Sequence, residues 1–323
     1  MVMPLSSFQS QQLSHEVPSE SFGYQADNLL NASDPGLSLN HDFQPDGIIN
    51  IESCRFAAYT SYADMYKAVM FFSSQDSPLP VVTKAFRVLP DDHEGKDRLN
   101  RMVGRLQTAW STVGHDHEYI SPTWPATVTS AGFVVPAITT PYYHNGNVLQ
   151  YVRRNPNVDR LGIIFQTACA LAYIHSKGVI HGNVCPENIC ITDDGVVRVT
   201  DIGVDTQVRL TNDKYIYSVP SNWMYKASEE LEMNTRTTKT DVCSLAATIY
   251  SIYTSKPPFV CNPHSFGKGL MHIVERGHEG VFGNFKPVEM KDELWAMVRL
   301  CWTIDPSRRP SMSEVKDMLS RIN

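Results

Sequence analysis

The sequence predicts an α+β protein in two unequal parts, a small strand-rich one followed by a larger helical one, with a cleft between them. Three observations predict it. Between positions 47 and 138 the apolar residues fall into short β-branched or alternating runs bounded by turn residues, with a single helical stretch among them. After Asn145-Gly146-Asn147 the apolar spacing becomes helical almost to the end of the chain. The 323 residues, 42% hydrophobic and 19% charged, can fill a large core and are not those of a disordered, collagen-like or coiled-coil chain.

Residues 1–46 are rich in Ser, Gln, Asn, Asp and Pro, and their few apolar residues, such as Leu5, Leu13 and Phe22, keep no period, so this stretch is expected to be a disordered acidic tail. A folded domain is expected over 47–323, divided into a first lobe at 47–140, a connector at 141–145 and a second lobe at 146–323. Strands are expected at 47–51, 66–72, 81–86 and 133–138. Leu99, Met102, Val103 and Leu106 repeat at i, i+3, i+4 and i+7 and predict a helix over 98–110. In the second lobe Leu161, Ile164, Phe165, Ala168, Leu171 and Ala172 form a helical stripe that Gly178 ends. Asp193-Asp194-Gly195 is a hairpin signal between strands at 188–192 and 196–200. Three further helices follow from Val242, Leu245, Ala246 and Ile249, from Leu294, Met297, Val298 and Cys301, and from Val315, Met318, Leu319 and Ile322. The last opens on Ser311 and Glu314, a capping box.

Charge narrows the function classes. Residues 1–54 carry seven acids and no Lys or Arg, which leaves 28 basic and 27 acidic residues for the rest of the chain. Neither part has the basic excess that tracks nucleic-acid phosphates or an anionic bilayer, so no nucleic-acid or membrane partner is expected. The N-terminus lacks a basic region followed by an unbroken apolar one, and no apolar run reaches the length of a bilayer span. The seven cysteines are scattered and odd in number, which predicts reduced thiols without disulfides in the cytoplasm or nucleus.

The chemistry is concentrated in His181-Gly182-Asn183-Val184-Cys185-Pro186-Glu187-Asn188, followed thirteen residues after Asn188 by Asp201-Ile202-Gly203. This pair resembles the catalytic loop and magnesium motif of eukaryotic protein kinases. Ala227-Ser228-Glu229, Asp241-Val242-Cys243-Ser244, Cys301-Trp302 and Asp305-Pro306-Ser307-Arg308-Arg309-Pro310 follow in the order and spacing of that family, so the resemblance covers about 47–323. The Trp-Met before Ala227 and the Cys-Trp near the end are most similar to the tyrosine-kinase-like branch.

The resemblance implies a two-lobed protein-kinase-like fold and assigns roles. Lys84 takes the strand position whose ammonium reaches the ATP phosphates, and Asn188 and Asp201 the two magnesium-ligand positions. Thr140 guards the back of the adenine pocket, and the backbone from Pro141 to Tyr143 is the hinge. It also implies a buried ion pair between Glu229 and Arg309, and a structural role for His181. Asn188 and Asp201 either retain magnesium or serve only loop hydrogen bonds.

Several parts depart from the family. At the catalytic-base position stands Asn183, a neutral amide that cannot accept a proton near pH 7. Cys185 replaces the lysine that steadies the transferred phosphoryl in serine/threonine kinases. Glu52, Cys54 and Ala57 stand where the three loop glycines belong, so backbone N–H groups cannot close on phosphate. Leu106 or Gln107 falls where the helix glutamate should pair with Lys84, which leaves Lys84 without that partner, and Gly182 replaces an arginine that binds a phosphorylated segment. Tyr215, Tyr217 and Thr211 are ordinary segment residues or modification sites. His115-Asp116-His117-Glu118 is read as a loop and not a metal site.

The expected function is therefore that of a pseudokinase, an allosteric regulator or scaffold with weak or absent binding of ATP and Mg. Its expected partner is a protein, an active kinase among the candidates. Its Gly-Asn-Val-Cys loop is similar to that of Janus-kinase pseudokinase domains. The alternatives are an active but atypical serine/threonine or tyrosine kinase and a scaffold with no nucleotide site.

Overall fold

Antiparallel pairing builds the first lobe. In this computed structural model the described residues are 38–40, 50–51, 55–59, 63–71, 79–86, 93–114, 117–130, 133–211, 222–258, 273, 275, 277 and 285–322. The strands β1 (Ser38–Asn40), β2 (Asn50–Ile51), β3 (Arg55–Tyr59), β4 (Ala63–Phe71), β5 (Leu79–Phe86), β6 (Trp124–Ser130) and β7 (Phe133–Pro141) form one sheet in the order β1-β6-β7-β5-β4-β2, with β3 also on β4. Alternation along β5 sets the function of its faces: Val81, Thr83 and Ala85 are buried, while Val82 and Lys84 take the other face. Thr83 and Thr139 stand opposite each other and share a 2.9 Å hydroxyl hydrogen bond that holds β5 to β7.

Three strands exceed the sequence expectation, and one of them, β3, falls where the glycine-loop position was expected. β6 starts Trp-Pro-Ala-Thr and reads as a turn, yet it pairs with β7 along its whole length. β1 lies inside the stretch expected to be a tail, and its three residues pair with 127–129 of β6. The rest of that stretch, 1–37 and 41–46, lies outside the described residues.

Helix α1 (His93–Val113) is longer than the 98–110 expected. Its buried residues Met102, Leu106, Trp110 and Val113 belong to the same core as the second lobe, and the small sheet cluster around Met70, Val81 and Val128 is separate. The second lobe contains α2 (Val148–Arg154), α3 (Arg160–Ser176), the hairpin β8 (Ile189–Ile191) and β9 (Val197–Val199), α4 (Val204–Thr211), α5 (Ser228–Met233), α6 (Thr238–Thr254), α7 (Asp292–Cys301) and α8 (Met312–Leu319). Sequence signals mark several of its ends. Ser311 and Glu314 form the expected capping box, Asn147 and Gln150 form another, and Gly178 takes φ +72° just past α3. α4 was not expected.

The helical lobe is closed by Arg309. All five of its guanidinium hydrogens are satisfied: two reach Glu229 at 2.6 and 2.9 Å, and the others reach the carbonyls of Thr303, Lys239 and Ile304 at 2.7, 3.1 and 3.2 Å. Trp302, fully buried, packs edge-on to Trp295 beside it. Arg309→Met should lower the unfolding free energy in urea by about 3–5 kcal/mol, because it strands the Glu229 carboxylate, and Glu229→Leu on that background should recover part of the loss. A loss below about 1 kcal/mol would contradict this role.

Candidate functional site

The cleft residues meet where β5 faces the hairpin. Lys84 Nζ donates to Asp201 Oδ2, with 13% and 3% of the two side chains exposed. Asp201 lies just after β9 in the left-handed region at φ +60°, a conformation that aspartate tolerates better than most residues, and Gly203 at φ +74° completes the turn. The loop is pinned on both sides: Thr200 N–H donates to the Asn188 carbonyl and Gly203 N–H to the His181 carbonyl, each at 2.9 Å. Asn188 in turn donates its amide to the Asn183 carbonyl at 2.9 Å.

Lys84 is therefore not left without a partner, as the missing helix glutamate led us to expect. Leu106, one of the two residues expected near the place of that glutamate, is fully buried and packed beside Gly203. Trp110 donates its indole N–H to the Ile202 carbonyl at 3.0 Å. Helix α1 thus grips the Asp201 motif through apolar packing and one buried hydrogen bond, and Lys84 turns to the carboxylate of that motif.

Asn183 is buried, and its amide oxygen accepts from the Asn222 side chain, which also lies 3.6 Å from Cys185 Sγ. Burial pushes the Cys185 thiol well above its usual range, so the group stays neutral and lends no charge to a phosphate. His181 is held as a structural residue. Its Nδ1 accepts the Asn183 N–H at 3.2 Å, and burial lowers its pKa, so the ring stays neutral. Asp241 ties this loop to α6, accepting from His181 N–H, Gly182 N–H and His175 Nε2, each at 2.8 Å. Burial alone would raise the Asp241 pKa. Its hydrogen bonds and the neighbouring imidazoles overcome that and lower it.

At the connector Thr140 is buried, and Tyr142 N–H donates to the Pro80 carbonyl at 2.8 Å. The Tyr143 hydroxyl shares a 2.9 Å hydrogen bond with Ser121, and burial pushes its pKa up to about 12. The Tyr143 carbonyl accepts from Gly146 N–H at 2.9 Å, while its own N–H has no partner among the described residues. Of the loop that replaces the glycines, Ala57 lies in β3 at a register shift between Phe56 and Ala58, and Glu52 and Cys54 lie outside the described residues. So do His115, Asp116, Tyr215 and Tyr217.

One observation bears on magnesium. Asp201 Oδ1 is buried and takes no hydrogen bond among the described residues, which is costly for a carboxylate oxygen and is the donor that a hard cation takes. Asp201 and Asn188 fit such an ion, although Lys84 already neutralises the same carboxylate. No cluster of three or more His, Cys, Asp or Glu suited to a metal occurs among the described residues. Two cavities of about 500 and 480 Å³ lie around Tyr253 and Glu289 in the helical lobe, away from all these residues.

A twisted antiparallel sheet with one helix, a connector, a helical lobe and a hairpin carrying Asn188 and Asp201 define a protein kinase domain. The family model for protein tyrosine and serine/threonine kinases matches residues 55–319, and the chain belongs to that family. It is similar to the tyrosine kinase receptor Cad96Ca of Drosophila melanogaster, 28% identical over 183 residues, 55% of this chain and 22% of the receptor. It is also similar to fibroblast growth factor receptor 1 of Xenopus laevis, 24% identical over 275 residues, 77% of this chain and 32% of the receptor. The chain thus spans about a fifth to a third of the length of these relatives. No described helix is long and apolar enough to cross a membrane.

Sequence reasoning had marked Lys84, Thr140, Tyr143, Asn183, Asn188 and Asp201. The structure joins Lys84 to Asp201 and Asn188 to Asn183, and it turns the Tyr143 ring to Ser121. Asn222 and Trp110 were missed. The Trp-Met motif beside Asn222 was the only signal near it, and Trp110 had counted only as the end of a helix.

Two outcomes follow from these contacts. Lys84→Met should destabilise the ligand-free protein by about 1–3 kcal/mol by stranding Asp201, and Asp201→Asn on that background should recover part of the loss. A double-mutant cycle in urea measures this, and additive losses would contradict it. His181 has a lowered folded pKa, so the unfolded chain binds a proton below about pH 6.5 that the native state refuses. Stability should therefore fall between pH 7.5 and 5.5 in denaturant titrations, with a shallower slope in His181→Gln.

Proposed function

We propose that this chain is a pseudokinase domain, which acts on a protein partner by binding or allostery without transferring phosphoryl groups to substrates. The observation that carries this reading is Asn183: a neutral amide at the base position, buried, with its oxygen already engaged by Asn222. Proton transfer by a positioned group contributes about 100-fold or more, and an amide in that position contributes none of it. The neutral Cys185 removes a second aid to charge stabilisation.

Nucleotide binding, on this reading, is weak and partly magnesium-dependent. Lys84, Thr140, the Tyr143 backbone, Asn188 and Asp201 are the residues that would hold ATP and Mg. Bound magnesium would neutralise phosphate charge. The ion pair of Lys84 with Asp201 weakens the pull of both groups on a nucleotide, because each already has part of its charge neutralised in the empty cleft. The open Asp201 Oδ1 favours a second reading, an atypical kinase that still binds Mg·ATP. The partner is a protein, an active kinase among the candidates, and the proposed setting is the cytoplasm or nucleus, in keeping with the free thiols of Cys169, Cys185, Cys190, Cys243 and Cys301.

Radiolabelled transfer from ATP to generic peptides should not exceed that of Lys84→Ala, and Asn183→Asp should not restore it. Thermal-shift titration with ATP should give a small response that Mg modestly increases; saturation at a hundredfold excess over Kd would amount to about 2.7 kcal/mol. Robust transfer abolished by Lys84→Ala, or clear activity in Asn183→Asp, would favour the atypical kinase. A complete lack of response to ATP would favour the scaffold without a nucleotide site.

A further inference from the structure

Four charged side chains close a ring at the start of α4. Lys226 Nζ lies 3.3 Å from Asp205 Oδ2 and 3.0 Å from Glu230 Oε1, and Arg236 reaches the same two atoms at 3.5 and 3.0 Å. No side chain of the four is more than 9% exposed, and the ring is neutral, with two cations and two carboxylates. Charges this deep are tolerable only when each meets an opposite charge and its remaining donors are used. Lys226 gives a further hydrogen bond, at 2.6 Å, to the Gly182 carbonyl.

Asp205 alone of the four belongs to α4. The other three come from 226–236, in and beside α5. The ring therefore ties the start of the segment after Asp201 to its far end, across the undescribed residues 212–221. Gly182 stands between the two. Its N–H is held by Asp241 and its carbonyl by Lys226, it takes φ +72°, and a Cβ there would lie 2.2 Å from Thr206 Oγ1 and 3.5 Å from Arg236 Cδ. Only a residue without a side chain fits against α4 in this position. On its other side α4 meets α1, where Arg105 Nε donates to Gln207 Oε1 at 2.6 Å.

We propose that this ring, with Gly182 as its spacer, is a built-in latch that keeps α4 folded and docked without any covalent modification of the segment. The intrinsic signal for α4 is weak, since Val204, Thr206, Val208 and Thr211 are β-branched, so its order depends on these tertiary ties. The latch stands or falls apart from the pseudokinase reading, because it involves neither nucleotide nor phosphoryl transfer.

Amide hydrogen exchange on the full, unphosphorylated chain tests it. The amides of 204–211 should be protected in the wild-type protein. Asp205→Ala, which leaves Lys226 its bond to Glu230, and Gly182→Ala should each speed exchange there by about tenfold or more, while α3 and α8 keep their protection. Exchange of wild-type 204–211 at the rate of an unstructured peptide overturns the proposal. So does wild-type protection of 204–211 in Asp205→Ala, whose native fold is read from α3 in the same experiment, and this holds even if Gly182→Ala fails to fold.

Discussion

One buried carboxylate holds the centre of the molecule. Asp241, on α6, accepts two backbone N–H groups from His181 and Gly182 and the ring of His175, and so fixes the path of the loop that carries Asn183, Cys185 and Asn188. From that loop the His181 carbonyl receives Gly203, the Gly182 carbonyl receives Lys226, and the Asn183 carbonyl receives Asn188. A carboxylate so deep would be costly alone. Three donors and neighbouring imidazoles make it favourable and keep it ionised.

Around this anchor the cleft satisfies itself. Lys84 and Asp201 neutralise each other, Asn222 engages the Asn183 amide oxygen, and Trp110 and Leu106 line the buried face of α1. A catalytic site holds its groups poised for an absent ligand, at a cost to stability. Here, among the described residues, several of those groups have partners in the chain itself, while Asp201 Oδ1 takes no hydrogen bond.

Local pattern made much of this visible. Alternation placed Lys84 on a strand face, Asp-Gly placed the hairpin, and motif spacing placed Asn188 and Asp201, because each depends on a few consecutive residues. The pairing of Lys84 with Asp201 spans 117 positions, and that of Asn222 with Asn183 spans 39, with no periodic signal to announce either. Helix α4 was hidden for the opposite reason: its own residues resist a helix, and distant charges and α1 impose it. β6 was hidden by Pro125, which punctuates a sequence but is tolerated in this strand. Most of the fold and the identity of the cleft residues were legible; their actual partners were not.

The placement of α1 has a mechanical consequence. Its buried face belongs to the core that also contains Ile164, Leu171 and Trp302 of the helical lobe, while the sheet keeps only a small cluster of its own. That core also takes Ala63, Phe86 and Ile138 from the sheet, so it crosses the cleft and ties sheet, α1 and helical lobe together. A load on α1 would therefore be borne by the sheet and the helical lobe together.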